Sequence, residues 1–310
     1  MYKLSSKRSK AYQAACLVIM VLLALLFLFP LYWIIIGVFK TSKENYSTSP
    51  VWWPSEWSTA NLQNLFSRRS APLWELIIPF SRKFTADGKD IVLLTGPTVP
   101  GAVRWLLNTV FMAVMAMILT CVTAALAGYA LAKKRFVGRR ILFSLIVCAM
   151  ALPKQVILIP LLKELAALGI TDTLWAIIFP TVGWPFGVFL MKQFSEGVPG
   201  EILESARIDG AGELKTFTTI VFPIVKPGVG ALAIFTFINC WNDYFMQLVM
   251  LTSNASYTLP LGIATMQGET STDIGLIMAG AALASVPIII VFLIFQKYFT
   301  KGITMGAVKG

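Results

Sequence analysis

The polar residues best suited to chemistry lie close together in the C-terminal third of an otherwise apolar chain. They are Asn239, Trp241, Asn242, Asp243 and Tyr244, all inside one long hydrophobic run. Amide and carboxylate side chains form several hydrogen bonds with hydroxyl groups, and aromatic faces stack on apolar ring faces. This combination suits a sugar, and an ionisable side chain at membrane depth marks a pathway or a paired structural contact. We expect either a substrate path through these residues or an interhelical clamp that no sugar touches.

A second polar group surrounds a predicted helix break in another hydrophobic run. Lys154 and Gln155 follow Pro153, and Pro160 lies further along the same run. Proline disrupts helices, and broken helices are tolerated in membranes where the freed backbone lines a cavity or faces another helix. We predict that both prolines break this run and that Gln155 belongs to the candidate substrate path. Lys154 either faces that path, where it can bond hydroxyl groups, or snorkels to the interface.

The residues that the chain lacks exclude several kinds of chemistry. It contains no histidine, and its four cysteines lie inside apolar runs without CxxC spacing. Neither a metal site, a His-dependent proton relay nor a disulfide framework is therefore indicated. No Gly-rich loop followed by Lys-Ser or Lys-Thr occurs, so the chain cannot hydrolyse ATP through a P-loop. We expect no catalytic residues, no metal and no cofactor in this chain.

The composition is that of a membrane protein. Of the 310 residues, 57% are hydrophobic and only 13% are charged, whereas soluble domains carry about 25% charged residues. Mean hydropathy is +0.75. The net charge of +11 could suggest nucleic-acid binding, but the basic residues cluster between apolar runs, as topology signals do.

The hydrophobic runs predict an all-α polytopic protein with six transmembrane helices, since each run approaches or exceeds the roughly 20 residues that cross a bilayer. The first spans residues 11–39, and Pro30 either kinks it or marks an interfacial outer part. Trp184, Pro185 and Phe186 predict a break in the fourth. Small residues such as Gly128 in the second permit close helix packing or sliding. The five later spans are predicted near residues 105–132, 141–162, 173–191, 228–251 and 275–295.

The distribution of Lys and Arg predicts the orientation of these spans. Basic residues occur at the N-terminus, in the 133–140 turn, between the fourth and fifth spans, and in the tail, whereas the short opposite loops hold only Lys163. Basic short loops face the cytosol, so both termini are expected there. The predicted division is a cytosolic N-terminus (1–10), the first span (11–39), an extracytoplasmic loop (40–104), a five-span core (105–296) with a cytosolic loop at 195–227, and a cytosolic tail (297–310).

A polar segment from Glu201 to Pro227 interrupts the core. It predicts a short helix over 201–209 with Ile202, Ala206 and Asp209 on one side. A turn at Gly210 and Gly212 follows, since glycine suits tight turns, and then a second short helix over 213–220 with Leu214, Phe217 and Ile220 on one face. Pro223 and Pro227 are expected to close the unit. Two short helices joined rigidly to flanking spans form a lever; the alternative is an ordinary amphipathic helical hairpin between two spans.

This segment resembles the EAA loop of ATP-binding-cassette (ABC) importer permeases, and most of the chain resembles the carbohydrate-type permeases of the maltose-transporter class, especially the shorter permease of each pair. Two positions depart from the family pattern: Ser205 replaces an Ala, and Phe222 replaces a Leu. The residues that match or complete the expected coupling loop are Glu204, Ser205, Ala206, Asp209, Gly210, Ala211, Leu214, Phe217, Ile220 and Pro223.

The resemblance implies a translocation subunit that is not itself an enzyme. Its implied partners are a second homologous permease, two cytosolic ATPase subunits that carry ATP and Mg, and an extracytoplasmic solute-binding protein. The coupling loop would dock on an ATPase subunit, with Leu214 and Phe217 packing on it and with Glu204 and Asp209 capping or anchoring the docking helix. The implied substrate is a sugar or oligosaccharide, and the implied location is the bacterial inner membrane.

Two further points stay open from the sequence. Residues 67–104 are an insertion relative to the usual family length, and they form either a small outer cap or an added contact for a receptor or the partner permease. The alternative function is a stand-alone secondary carrier driven by an ion gradient. Such a carrier needs intramembrane acids or histidines for its coupling ion, and Asp243 is the only carboxylate inside the predicted spans.

Overall fold

Helices form most of the structure, a computed structural model that describes residues 6–77, 92–267 and 272–307. Four segments lie outside the described residues, and the expectations for them stay predictions: 1–5, 78–91, 268–271 and 308–310. In chain order the helices are α1 Ser6–Phe39, α2 Ser42–Asn45, α3 Ala60–Ser67, α4 Gly101–Lys133, α5 Arg139–Ala149, α6 Lys154–Ala167, α7 Trp175–Val182, α8 Pro185–Glu196, α9 Gly200–Ile208, α10 Glu213–Thr216, α11 Phe222–Asn242, α12 Tyr244–Met250, α13 Leu259–Thr265 and α14 Ile274–Ala307.

The predicted polytopic α-helical class is confirmed. Across the described ranges, five helical segments are long and apolar enough to cross a membrane, and the bent pair α5 and α6 makes a sixth if it forms one span. The five segments are Tyr12–Phe39, Gly101–Lys133, Trp175–Glu196, Glu213–Asn242 and Ile274–Gln296. Four short strands also occur, which the sequence did not predict: β1 Ser70–Pro72, β2 Glu75–Ile77, β3 Val92–Thr95 and β4 Thr98–Pro100.

Only one of the two prolines predicted to break the third span does so. Helices α5 and α6 meet at 106° across a break that ends at Pro153. Helix α6 continues past Pro160, which lies inside it, so the prediction of a second break was wrong. A proline removes one backbone hydrogen bond but bends rather than ends a helix where the neighbouring structure supports it.

The fourth span is interrupted as expected beside Trp184. Helix α7 ends at Val182, Trp184 has an extended backbone, and Pro185 begins α8. A proline at the first helical position is favourable because the missing N–H has no helical partner there. The side chains of Trp184 and Phe186 therefore sit at the junction of two helices.

The polar segment differs from the prediction in its second half. Helix α10 does not stop before Pro223: it passes through a π-helical turn, Phe217–Val221, into α11. In this turn the Phe222 N–H donates to the Phe217 carbonyl, five residues back. The wider π-helical turn comes just before Pro223, which has no backbone N–H to donate. The result is one helix from Glu213 to Asn242.

The chain divides into two compact units. The first comprises Met1–Arg69 and Ile263–Ser285. Inside it, the Asn61 amide donates to the Val38 and Lys40 carbonyls at 2.9 and 2.8 Å, which fixes α3 against the end of α1. Arg68 pairs with Asp273 at 2.8 Å. Aromatic side chains cluster where α1 ends, among them Trp33 and Trp52 with ring centroids 5.8 Å apart, as is typical of a membrane interface.

The second unit comprises Ser70–Gly262 and Val286–Gly310. Its centre is α4, which packs against α7, α8 and α11. Two antiparallel strand pairs, β1 with β4 and β2 with β3, lie in the segment predicted to be an insertion. A loop before α13 is tied to this region: Asn254 donates to the Ser70 carbonyl at 3.0 Å, and Trp105 donates to the Asn254 carbonyl at 3.0 Å. These bonds connect the loop before α13 to β1 and to α4.

Candidate coupling segment and central cavity

The turn between α9 and α10 depends on Gly210. Its φ is +73°, a conformation that side chains with a Cβ rarely adopt. The Gly210 N–H donates to the Arg207 carbonyl at 3.0 Å, and the Ala211 N–H donates to the Ala206 carbonyl at 2.9 Å. These two bonds close the end of α9 after Asp209. Gly212 precedes α10 with an ordinary φ of −66°.

Helix α9 has a buried face and an exposed face. Leu203 and Ala206 are buried, whereas Ile202, Ile208 and Asp209 are exposed. Ile202, Ala206 and Asp209, predicted on a common side, therefore differ in burial, because the inward stripe follows the three-residue spacing of Leu203 and Ala206. The apolar side chains that remain exposed form a surface on which a partner can pack.

Phe217 packs inside the chain. It is 7% exposed, and its ring lies 5.5 Å from the Tyr129 ring and 6.2 Å from the Phe222 ring. Leu214, only three residues earlier, is 72% exposed. The expectation that both residues pack on a partner is thus incorrect for Phe217 and remains a prediction for Leu214.

An ion pair ties α10 to the end of α4. Lys134 bonds Glu213, and the Tyr129 hydroxyl donates to Glu213 Oε2 at 3.4 Å. Partial burial lowers the pKa of Lys134, but its hydrogen bonds to Glu213 and Tyr129 outweigh this effect, so the pKa is raised overall. The charged form of Lys134 is therefore favoured, and α10 is held to α4 as well as to α11.

The remaining predicted coupling residues lie on or beside this surface. Glu204 is exposed in the middle of α9, and Ser205 donates to the Glu201 carbonyl at 2.9 Å. Among the described residues, no side chain caps the start of α9, which follows Pro199, so capping by Glu204 is not observed. Asp209 occupies the C-terminal cap of α9 through its backbone. Ala211 and Ile220 are half-buried and Pro223 is exposed.

A cavity of about 200 Å³ lies inside the second unit, between α4, α6, α7, α8 and α11. Three helix breaks contribute to its wall: Lys154 follows the break at Pro153, Trp184 separates α7 from α8, and Asp243 separates α11 from α12. Its lining mixes hydroxyl, amide and charged groups with aromatic and aliphatic side chains. These are Thr120, Lys154, Ile157, Leu161, Pro180, Thr181, Trp184, Phe186, Gly187, Leu232, Phe235, Thr236, Asn239, Cys240, Asp243 and Met246.

A charge pair bridges the cavity wall. Lys154 Nζ lies 2.9 Å from Asp243 Oδ2 and 4.8 Å from the centroid of the Trp184 ring. The other carboxylate oxygen of Asp243 accepts from the Met246 N–H at 3.3 Å and so caps α12. The pair joins the start of α6 to the junction of α11 and α12. Lys154 therefore faces the cavity instead of snorkelling along the lipid.

The structure separates the six predicted substrate-path residues. Asn239 and Asp243 line the cavity, and the Asn239 amide also donates to the Phe235 carbonyl of its own helix at 2.8 Å. Trp241 does not line it: this side chain is 1% exposed and stacks on Phe237 at 5.3 Å, in a cluster on the other side of α11. The other three are exposed and are not part of the cavity lining: Gln155, Asn242 and Tyr244.

Several lining residues were not predicted from the sequence. Thr120 is 3% exposed, and its hydroxyl oxygen has no hydrogen-bond partner among the described residues. Thr181 bonds the Ile177 carbonyl, and Phe186 lies 4.5 Å from Phe235. A lone threonine in an apolar helix carries little sequence signal, because it commonly bonds its own backbone. The Trp184-Pro185-Phe186 break was the signal available for the aromatic part of the wall.

No group of three or more Cys, Asp or Glu side chains that could hold a metal ion occurs within the described ranges, and the chain has no histidine. The residues around the cavity offer hydrogen bonds, one ion pair and aromatic faces. This arrangement can bind a small polar solute.

Comparison with known proteins agrees with these features. Residues 124–305 match the family model of the binding-protein-dependent transport system inner membrane component. The chain is 30% identical over 305 residues to the arabinooligosaccharides transport system permease protein AraQ of Bacillus subtilis, which covers 98% of this chain and 99% of that protein. It is 30% identical over 253 residues to the trehalose/maltose transport system permease protein MalG of Thermococcus litoralis, covering 77% and 90%.

A solved structure shares the fold. A chain of a bacterial ABC transporter involved in the import of the acidic polysaccharide alginate superposes with a TM-score of 0.73 at 20% identity, covering 96% of this chain and all of that one. The family match extends from the middle of α4 through the coupling segment and the cavity into α14. This chain therefore belongs to the family of inner membrane components of binding-protein-dependent transport systems.

Proposed function

We propose that this chain is the permease subunit of an ABC importer that takes up a sugar or an oligosaccharide. Family membership supports its role as a multi-pass transport subunit. The printed names of its relatives include arabinooligosaccharides, trehalose and maltose, which supports a carbohydrate. The cavity, with its hydroxyl, amide and aromatic groups, is compatible with such a substrate.

The observation that carries the mechanism is the single helix from Glu213 to Asn242. Its first residues border the exposed surface of α9 and α10, and its later residues Phe235, Thr236 and Asn239 line the cavity. At 1.5 Å per residue this helix is about 45 Å long. A force applied at the exposed end is transmitted to the cavity wall along this continuous helix, which contains the π-helical turn and Pro227, so a docked motor subunit can change the shape of the cavity.

The proposed assembly supplies the motor and the substrate. Two cytosolic ATPase subunits bind ATP and Mg, a second homologous permease completes the translocation path, and an extracytoplasmic binding protein delivers the solute. In this arrangement residues 1–10, 195–227 and 297–310 are cytosolic and residues 40–104 are extracytoplasmic, in keeping with the basic short loops. Exposed side chains of the coupling surface, such as Ile202, Ile208 and Leu214, contact the ATPase.

Purification tests the assembly. The full chain, extracted with a tag in mild detergent, is expected to bring an ATP-hydrolysing subunit with it, and proteoliposomes of that complex are expected to take up solute with ATP. A chain that purifies without any ATPase and accumulates solute under an ion gradient would instead be the stand-alone carrier.

Gly210→Pro tests the lever itself. Proline fixes φ near −65°, opposite to the observed +73°, and removes the N–H that bonds the Arg207 carbonyl. We expect the variant complex to stay in the membrane and hydrolyse ATP while uptake falls. Gly212→Ala is the control, because Gly212 has an ordinary φ and an added Cβ would meet none of the described residues within 4 Å. Normal coupling in Gly210→Pro would contradict the lever.

A further inference from the structure

The central cavity contains a balanced pair of charges. Of the residues that line it in the described chain, only Lys154 and Asp243 are charged, and they pair at 2.9 Å. The Lys154 ammonium keeps donors beyond the one that meets Asp243, and Asp243 keeps acceptor capacity on its second oxygen. Hydroxyl groups can therefore bond both partners without separating them.

The size of the cavity limits its occupant. Its volume of about 200 Å³ lies below the roughly 300–1,000 Å³ of pockets that enclose a drug-sized ligand, so it encloses about one sugar ring, and any further rings extend out of its open side. Phe186 and Phe235 supply apolar faces for such a ring.

Thr120 gives an independent sign of a ligand. This residue lines the cavity and is only 3% exposed. Its hydroxyl has no hydrogen-bond partner among the described residues. A buried hydroxyl without a partner is unfavourable for the empty protein. The hydroxyl oxygen is itself enclosed, so a turn of the Thr120 side chain about χ1 is needed to present it to the cavity, where bonding to a sugar hydroxyl would relieve that cost.

The charge pair also distinguishes neutral from acidic sugars. A carboxylate entering the cavity meets Asp243 as a like charge, even where it bonds a spare donor of Lys154. The side chains of Lys154 and Asp243 are 40% and 21% exposed, so this repulsion is weaker than in a dry interior but still disfavours an acidic ring. A neutral ring avoids the repulsion.

We propose that this cavity is a subsite for one uncharged sugar ring and that the Lys154–Asp243 pair selects against acidic sugars. The assignment rests on the proposed function, since it names the charge class of the carbohydrate and the subunit that contacts it. Lys154, Asp243 and Thr120 are its specificity-determining residues, and the remaining oligosaccharide lies outside this cavity.

The test is sugar binding to the full importer complex in nanodiscs, measured by equilibrium dialysis. The probes are two matched pairs: methyl glucoside with methyl glucuronide, and methyl galactoside with methyl galacturonide. For at least one pair, wild type is expected to bind the neutral glycoside about 10- to 100-fold more tightly than its uronide. This ratio of affinities corresponds to the free energy of one hydrogen bond to a charged group. Equal binding of the two members of each pair, or tighter binding of the uronide, would overturn the proposal.

Asp243→Asn is the decisive variant. Asparagine keeps the cap of α12 but leaves Lys154 without its counter-charge, so the preference is expected to reverse towards the uronide. Glu164→Gln makes the same chemical change at an exposed position outside the cavity and is expected to leave the preference unchanged. A neutral preference that persists in Asp243→Asn would show that the pair does not set selectivity.

Thr120→Val provides a second readout that does not depend on charge. It removes the partnerless hydroxyl with little change of shape, so the thermal stability of the empty complex is expected to stay equal or rise, while neutral-glycoside affinity falls about 3- to 10-fold. Thr123→Val, one turn along α4 with its hydroxyl bonded to the Leu119 carbonyl, is the control with unchanged affinity. Unchanged affinity in Thr120→Val would remove Thr120 from the site.

The same preparations separate failure of this inference from failure of the proposed function. If an ATPase co-purifies and uptake is ATP-driven, but the variants bind sugars as wild type does, only the subsite assignment is wrong. If no ATPase accompanies the chain, the importer assignment fails, whatever the dialysis shows.

Discussion

Glu44 shows how strongly neighbouring groups control the ionisation of a single side chain. Its Oε1 accepts from the Ser55 hydroxyl at 2.5 Å and from the Ser55 N–H at 2.8 Å, and its Oε2 accepts from the Thr41 N–H at 2.9 Å. These bonds, with the Ser55 hydroxyl contributing most, lower the pKa of Glu44 from 4.5 to about 2. They hold the loop after α1 in one conformation although the carboxylate lies at the surface.

The pH dependence of this loop follows from the direction of that shift. A carboxylate whose folded pKa is lowered stabilises the folded form fully above its unfolded value near 4.5, and the contribution is lost as the pH falls towards 2. We expect segment 41–57 to gain hydrogen exchange, corrected for intrinsic rates, across this window. Glu44→Gln should show the faster exchange already at neutral pH and little further change on acidification. Identical profiles in wild type and variant would contradict the assignment.

Phe217 and Leu214 illustrate, at the scale of an element, how the coupling segment divides its faces. They lie three residues apart, where a regular helix places them on one side. Phe217 is nevertheless buried against Tyr129, whereas Leu214 remains exposed. The π-helical turn begins only at Phe217, so it changes the orientation of the residues that follow and not that of Leu214.

Truncation of each side chain is expected to have a different effect. Phe217→Ala removes a buried ring and should lower the free energy of unfolding by about 3–5 kcal/mol. Leu214→Ala should change it by less than about 0.5 kcal/mol but reduce the amount of ATPase that co-purifies. Thermal unfolding and the stoichiometry of the purified complex measure the two effects. Loss of ATPase binding without destabilisation in Phe217→Ala would show that its ring reaches the partner.

Close packing between α4 and α8 depends on Gly128. A Cβ added there would lie 2.6 Å from the Lys192 backbone nitrogen and 2.6 Å from the Met191 carbonyl carbon, and neither backbone atom can move independently. We expect Gly128→Ala to lower stability by about 1–3 kcal/mol through overpacking, which exceeds the roughly 0.5–1 kcal/mol that alanine gains in a helix. Gly183→Ala, whose Cβ would lie 3.7 Å from its nearest neighbours, should be nearly neutral. Thermal unfolding compares the two, and equal melting temperatures would contradict tight α4–α8 contact.

At the scale of the whole molecule, the orientation in the membrane determines where force and substrate enter. The proposed topology places the basic turn at 133–140 in the cytosol and the loop after α1 outside. Val137 and Ser49 are exposed in these two regions. Single cysteines at these positions therefore report opposite sides of the membrane.

Labelling with a membrane-impermeant thiol reagent checks this orientation in a chain whose four native cysteines are replaced by alanine. Ser49→Cys is expected to react in intact cells from which any outer membrane has been removed. Val137→Cys is expected to react only after the inner membrane is opened. The reverse pattern would place the coupling segment outside and remove the basis for ATPase docking.

The sequence by itself determined the class of the molecule. Apolar runs of span length, basic short loops and the absence of histidine and of a P-loop are properties of the chain that no packing can change. The pattern from Glu204 to Pro223 predicted the coupling segment, and Pro153 and Trp184 predicted two helix breaks. Each of these features depends on a short stretch of the chain, so the amino-acid sequence alone is enough to predict it.

The tertiary structure decided which side chains meet. Asn239 and Trp241 are two residues apart on α11, so they point to different sides, and only packing against α4 and α6 shows that Asn239 faces the cavity while Trp241 is buried elsewhere. Lys154 and Asp243 are 89 positions apart, and their pairing follows from two helix breaks brought together by folding. Side-chain partnerships between distant segments depend on the packing angles of helices, and these angles are set by the whole molecule and not by any one stretch of sequence.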